Sequence, residues 1–189
     1  MISRLFGRMM RGIHAGEAKL MWNHPAIRAA PATISLSSSA FRDGAAMPTR
    51  YAAKAIGDDQ SPPLAWSNIP DEAAELVLVM EDPDAPLPFP SPHLLATGIS
   101  PHSEGMPEGA LNRGSLPSQA RFGKWLFVEL AYRGPQPPPS HGPHRYVFQL
   151  FALNQALRTD VDFDRKALAR EVAGKILARG RLTGVFERT

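Results

Sequence analysis

Glu75-Leu76-Val77-Leu78-Val79-Met80-Glu81 runs without a gap into Asp82-Pro83-Asp84-Ala85-Pro86, and this junction decides the fold. Five consecutive apolar residues leave no polar helical stripe, so residues 75–81 predict a strand covered on both faces. The strand ends where two prolines fix φ and supply no backbone donor. Asp82 and Asp84 are thereby presented from a stiff turn at the rim of a buried sheet.

Downstream, residues 93–99 form a second apolar segment, opened by His93 directly after Pro92. Residues 100–118 are rich in Gly, Pro and Ser without periodicity, which predicts a long ordered loop. Residues 125–132 and 145–153 read as further strands, separated by a proline-rich run over 134–143. Such a run can serve as a polyproline ligand, but between two strands of one sheet it reads as a stiff connection. Upstream, residues 32–37 alternate as a first strand, and Ser61-Pro62-Pro63-Leu64-Ala65-Trp66 leads into a turn at 68–70. Near the end of the chain Leu168, Val172 and Ile176 fall four apart, predicting a helix over 165–179. Asp162 and Asp164 suit its N-terminus, Gly180 its C′ position, and a short strand over 181–188 follows.

A chain of 189 residues suits one domain, assigned to residues 29–189, preceded by a basic arm over 1–28. Its 43% hydrophobic and 21% charged residues are ordinary for a globular protein, whereas 19 prolines are about twice the usual frequency of roughly 5%. That proline content favours a β-rich fold with fixed connections over a helical bundle. The absence of cysteine excludes disulfides, thiolate nucleophiles and cysteine-ligated metals. No apolar stretch has the length of a secretory signal or a membrane span, so the expected location is cytoplasmic, without integral membrane association. The arm carries Arg4, Arg8, Arg11, Lys19 and Arg28 against Glu17, that is 5 − 1 = +4 of a total net charge of +3. It is expected to hold a short helix ending near Gly12 and otherwise to be a solvated extension. Contact with nucleic acid or an anionic membrane is the competing possibility. No aromatic-interleaved basic stripe supports nucleic-acid binding.

The G-x-S-x-G elbow, the P-loop, the dinucleotide fingerprint and H-E-x-x-H are all absent. What remains is a polar constellation at strand ends. His144 and Tyr146, two apart on a strand, share a face, and Arg145 points the other way. With His93 and Asp82 they form a set suited to a small phosphate or carboxylate, the imidazoles donating to the anion. Asp84 and Arg145 can either support this pocket or simply pair to hold two strands together.

These residues carry a resemblance. Ser61-Pro62-Pro63-Leu64-Ala65-Trp66, Asp82-Pro83-Asp84-Ala85-Pro86, His93, Tyr132-Arg133-Gly134-Pro135-Gln136-Pro137-Pro138 and Gly142-Pro143-His144-Arg145-Tyr146 resemble the phosphatidylethanolamine-binding protein family, specifically its bacterial, Raf-kinase-inhibitor-protein-like branch. The resemblance extends over about 32–188. It implies a mainly β fold in which a large central antiparallel or mixed sheet packs on a smaller sheet, with a C-terminal helix. It also implies an anion pocket lined by Asp82, His93, His144 and Tyr146, supported by Asp84, Pro86, Pro92 and Arg145, with a cis peptide in keeping near Pro86 or Pro92. The chain departs from the pattern at Pro92 and Leu94, where many relatives have an aromatic residue beside the pocket histidine, and at Gln136, where relatives often carry cysteine.

The function expected from this set is a non-catalytic regulatory or inhibitory module that binds a phosphate-like anion and meets a protein partner, with no cofactor and no bound metal. The alternative is a hydrolase or lyase on a small phosphorylated metabolite, with His144 or His93 as acid–base and Asp82 as orienter. A weaker alternative is zinc held by His93, His141 and His144. The resemblance adds a homodimer.

Overall fold

The computed structural model describes residues 2–117, 120–125, 128–158 and 163–189. Helix α1 (Ile2–Met10) is followed by two short 3-10 turns, Glu17–Lys19 and Met21–Asn23. Strands β1 (Ser35–Ser37), β2 (Leu64–Ser67), β3 (Glu75–Asp82), β4 (Ser91–Ile99), β5 (Gly105–Met106), β6 (Arg121–Phe122), β7 (Lys124–Trp125), β8 (Val128–Glu129) and β9 (His144–Leu153) precede α2 (Arg165–Glu171) and β10 (Ile176–Phe186).

The large sheet has the order β10-β9-β3-β4-β6 and the smaller one β1-β2-β5, every pairing being antiparallel. Every residue of β3 is buried, as the unbroken apolar run requires. Alternation along the pleat divides the core into two. Leu76, Leu78 and Met80 of β3, with Phe148 and Leu150 of β9, face Leu36, Leu64, Trp66 and Met106 of the small sheet. Val77, Val79, Val147 and Phe151 point the other way, onto Leu20, Met21, Trp22 and Ile27 of the arm and Leu168 and Val172 near α2.

The second core corrects the expectation of a solvated arm. Solvation fits only the first dozen or so residues; from Ala15 onward the arm covers one face of the sheet. Buried polar groups fasten it there. Glu81 accepts from the Met21 amide at 2.7 Å and from Gln149 Nε2 at 2.9 Å, and it also pairs with Arg165. The Trp22 amide donates to Gln149 Oε1 at 2.6 Å.

Three local expectations change. The helix expected over 165–179 stops at Glu171, because Gly174 adopts φ 74° and residues from Ile176 onward pair with β9. Gly180 is therefore no C′ residue; it lies in β10, where a Cβ would come within 2.5 Å of the Ile34 carbonyl oxygen. Asp164, whose side chain accepts from the Ala167 amide at 2.7 Å, is the N-cap as expected, and Asp162 lies outside the described residues. In place of the strand expected over 125–132, Lys124–Trp125 and Val128–Glu129 form a small β7-β8 ladder; residues 126 and 127 lie outside the described residues. The cis peptide in keeping with Pro86 or Pro92 is not found: every peptide bond among the described residues is trans.

Candidate functional site

The site forms where β3, β4 and β9 end together. Asp82 closes β3, His144 opens β9, and the two strands pair antiparallel, which brings Asp82 to the first turn of side chains on β9. His144 Nδ1 lies 2.8 Å from Asp82 Oδ2. His93 enters through an irregularity in the β3–β4 ladder between Met80 and Glu81, which re-aims its ring beside β9. The His93 ring stands edge-on to Tyr146 at 5.1 Å, and the His144 and Tyr146 rings stack at 6.5 Å. The four side chains assigned to the pocket thus meet.

Sequence reading missed the role of His141. Its Nδ1 lies 2.7 Å from His144 Nε2, and its Nε2 lies 2.8 Å from the Met10 carbonyl at the end of α1. The result is a buried file from Asp82 through His144 and His141 to the arm. A carbonyl only accepts, so His141 Nε2 carries a proton. Three hydrogen bonds need three protons, one more than an ionised Asp82 and two neutral imidazoles hold. With three protons shared among Asp82, His144 and His141, the complete file is electrically neutral overall. Burial pushes the His141 imidazole below its ordinary range, with the charges of His144 and His14 acting in the same direction and the bond to Met10 opposing.

The same geometry argues against zinc held between His141 and His144 and against His144 as the acid–base group. His141 and His144 point their nitrogens at one another, so no cation fits between them, and no metal-holding cluster occurs among the described residues. Both nitrogens of His144 are engaged, which leaves it no free atom for acid–base work on a substrate.

Two groups of the site keep unspent hydrogen-bonding capacity. The Tyr146 hydroxyl is fully buried and makes no hydrogen bond among the described residues. Burial drives its pKa well above the ordinary value, helped by the Asp82 charge; the Gln136 amide lies near enough to oppose this without completing a bond. His93 is half-buried, and its Nδ1 donates to the Arg133 carbonyl at 2.8 Å, leaving Nε2 without a partner among the described residues. Burial also lowers the His93 pKa, partly offset by Asp82 and by the bond to Arg133.

Asp84 and Arg145 form a clamp beside the pocket rather than part of its lining. Arg145 donates from Nε to Asp84 Oδ2 at 2.9 Å and from Nη2 to Oδ1 at 2.8 Å, and its amide reaches Oδ2 at 2.8 Å. Burial alone would raise the Asp84 carboxyl; the Arg145 hydrogen bonds and charge outweigh it and hold the carboxyl below its ordinary range. Arg145 continues to Glu17 at 2.8 Å, so the clamp also holds the arm. Pro92 is buried in β4 next to His93, and Pro86 follows the buried Ala85 in the turn beyond the clamp.

A two-sheet antiparallel fold with a histidine-carboxylate site at the ends of its central strands defines a class of protein, and comparison identifies it. The phosphatidylethanolamine-binding protein family model matches residues 37–187. A UPF0098 protein of Methanothermobacter thermautotrophicus is 35% identical over 155 residues, 82% of this chain and 99% of its own. LppC of Mycobacterium tuberculosis, which is named as a lipoprotein, is 38% identical over 166 residues, 86% of this chain and 76% of its own. The crystal structure of a phosphatidylethanolamine-binding protein homolog from Chlamydia trachomatis superimposes with a TM-score of 0.72 at 31% identity, covering 82% of this chain and 98% of that one. The chain belongs to the phosphatidylethanolamine-binding protein family. Among the described residues no helix is long and apolar enough to cross a membrane.

Proposed function

We propose that this protein is a receptor for a small phosphate-like anion, phosphate or phosphoethanolamine in type, and works as a non-catalytic regulatory or inhibitory module. The buried Tyr146 hydroxyl supports this most directly. An orphaned buried hydroxyl costs about 1–3 kcal/mol, and such a cost is explained when a ligand oxygen completes the bond. His93 supplies a second contact through Nε2, from the one part of the site that reaches the surface. Charging that imidazole for an anion takes up a proton, so binding tightens as pH falls toward the ordinary histidine value of 6.5. The Asp82–His144–His141 file stands behind these two groups and fixes the ring of Tyr146 by stacking. A cytoplasmic location and a homodimer complete the proposal; cell fractionation and sedimentation address each.

The test is an NMR titration of the imidazole signals with inorganic phosphate and with phosphoethanolamine at fixed pH. His93 and His144 should shift together and saturate, and the His93 pKa should rise with ligand present. Imidazole signals unmoved by either probe would remove the anion assignment.

A further inference from the structure

Helix α1 is built the wrong way round for a helix that serves its own domain. An amphipathic surface helix turns its apolar side to the core. Here Gly7 faces inward, so tightly that a Cβ would lie 2.0 Å from the Pro139 carbonyl oxygen. The Met10 carbonyl and Arg11 Nε, the latter 2.7 Å from the Ser140 carbonyl, share that inward side. Leu5, Phe6 and Met9 point to solvent with 62%, 52% and 76% of their surface exposed.

The remainder of the surface sharpens this. Among the described residues, the large apolar side chains that are exposed are Leu5, Phe6, Met9, Ile13, Leu87 and Phe89. The last two belong to the loop that the arm grips: the Ala15 amide donates to the Ala85 carbonyl, the Gly16 amide to Pro83, and Lys19 Nζ to Pro88 at 3.0 Å. Exposed apolar surface is therefore gathered on two adjoining segments. Its charge has one sign. Residues 2–16 contain Arg4, Arg8 and Arg11 and no carboxylate; the first acid, Glu17, is already paired with Arg145 and Arg181.

We infer that α1, with Ile13 and the loop at 87–89, is a docking surface for an anionic lipid bilayer. Leu5, Phe6 and Met9 enter the headgroup–acyl boundary while Arg4 and Arg8 remain among the phosphates, the arrangement of an interfacial basic helix. A second copy of the chain fits less well, because a twofold contact would set these arginines against their own images. The inference is independent of whether the Asp82–His144 site takes an anion.

The experiment is flotation of the full chain with phosphatidylcholine vesicles and with vesicles that also contain phosphatidylglycerol. The protein should float only with the anionic vesicles and be released by salt. Arg4→Gln with Arg8→Gln should weaken partitioning about 25-fold, at roughly fivefold per basic residue. Phe6→Ser with Met9→Ser should weaken it at least about tenfold. Both pairs are exposed helix positions, and an unchanged melting temperature confirms that the fold is intact. Equal binding to neutral vesicles, no binding to either, or binding indifferent to both double variants overturns the inference. So does self-association that Phe6→Ser with Met9→Ser abolishes while vesicles remain unbound, since the face would then belong to a second copy.

Discussion

Asp82 and Asp84 stand two residues apart, leave the same strand, and are both buried, yet they are neutralised in different ways. Asp84 meets a fixed charge. Its oxygens accept from Arg145 Nε, Nη2 and amide, and no proton in that clamp can leave at any ordinary pH. Asp82 meets a file of imidazoles whose proton number is adjustable and which ends on a main-chain carbonyl of the arm. One carboxylate therefore anchors and its neighbour responds. Pro83 stands between them in the turn, where the Asp84 amide donates to Asp82 Oδ1 at 2.8 Å.

Removing the anchor should have the largest effect. Arg145→Met leaves Asp84 buried with the Arg145 backbone amide as its hydrogen-bond donor and His14 Nδ1 3.8 Å away. The expected cost is about 2 kcal/mol, the loss of charge-assisted hydrogen bonds discounted for a guanidinium that is 39% exposed. Thermal denaturation should show a fall in Tm of roughly 4–8 °C, with phosphate binding per folded molecule little changed. An unchanged Tm would mean that Asp84 relaxes to solvent and that the two carboxylates are not as different as their contacts indicate.

Acid should separate the two regions in order. His93 and His141 have folded-state pKa values below the ordinary 6.5, so the unfolded chain binds more protons there as pH falls. Stability is then fully present above about pH 6.5 and declines below it. The groups facing these rings are Asp82, Arg133 and His144 around His93, and His144 and His14 around His141. Asp84 acts later: its carboxyl is held below the ordinary 3.8, so its contribution persists above that value and is lost as pH falls through the folded one. A plot of Tm against pH should bend once below 6.5 and again below 3.8. A profile flat from pH 7 to 5 would remove the first step and with it the responsive character of the file.

How much of this was legible in the chain differs with distance along it. The buried strand before Asp82, the shared face of His144 and Tyr146, and the opposite direction of Arg145 follow from local periodicity, and they stand. The β fold and the family follow from motifs spread over most of the chain. His141 was visible three residues before His144, but its partner at Met10 lies 131 positions away, and no local pattern reports a contact of that span. The cover that the arm forms was hidden for the same reason, since Glu81 and Met21 are 60 positions apart. The overlong helix had another cause. Leu168, Val172 and Ile176 satisfy a helical period, but only tertiary pairing decides that Ile176 joins β10.

The smallest effect should be the most informative. Tyr146→Phe removes one oxygen from a site that is otherwise unchanged, because both rings fill the same volume against His93 and His144. In a residue kept only for packing, deleting a hydrogen-bonded hydroxyl costs stability. Here the hydroxyl is buried with no bond to lose, so the substitution should leave stability unchanged or raise it, by about 1–3 kcal/mol at most, and the melting temperature with it. The same variant should bind phosphate about tenfold more weakly, as loss of one good hydrogen bond to a charged oxygen requires. Stability and binding would thus move in opposite directions for a single atom, the signature of a polar group retained for a ligand at the expense of the empty fold. If Tyr146→Phe instead lowers Tm and leaves phosphate binding intact, the hydroxyl has an internal partner. The responsive half of the comparison would then reduce to the imidazole file alone.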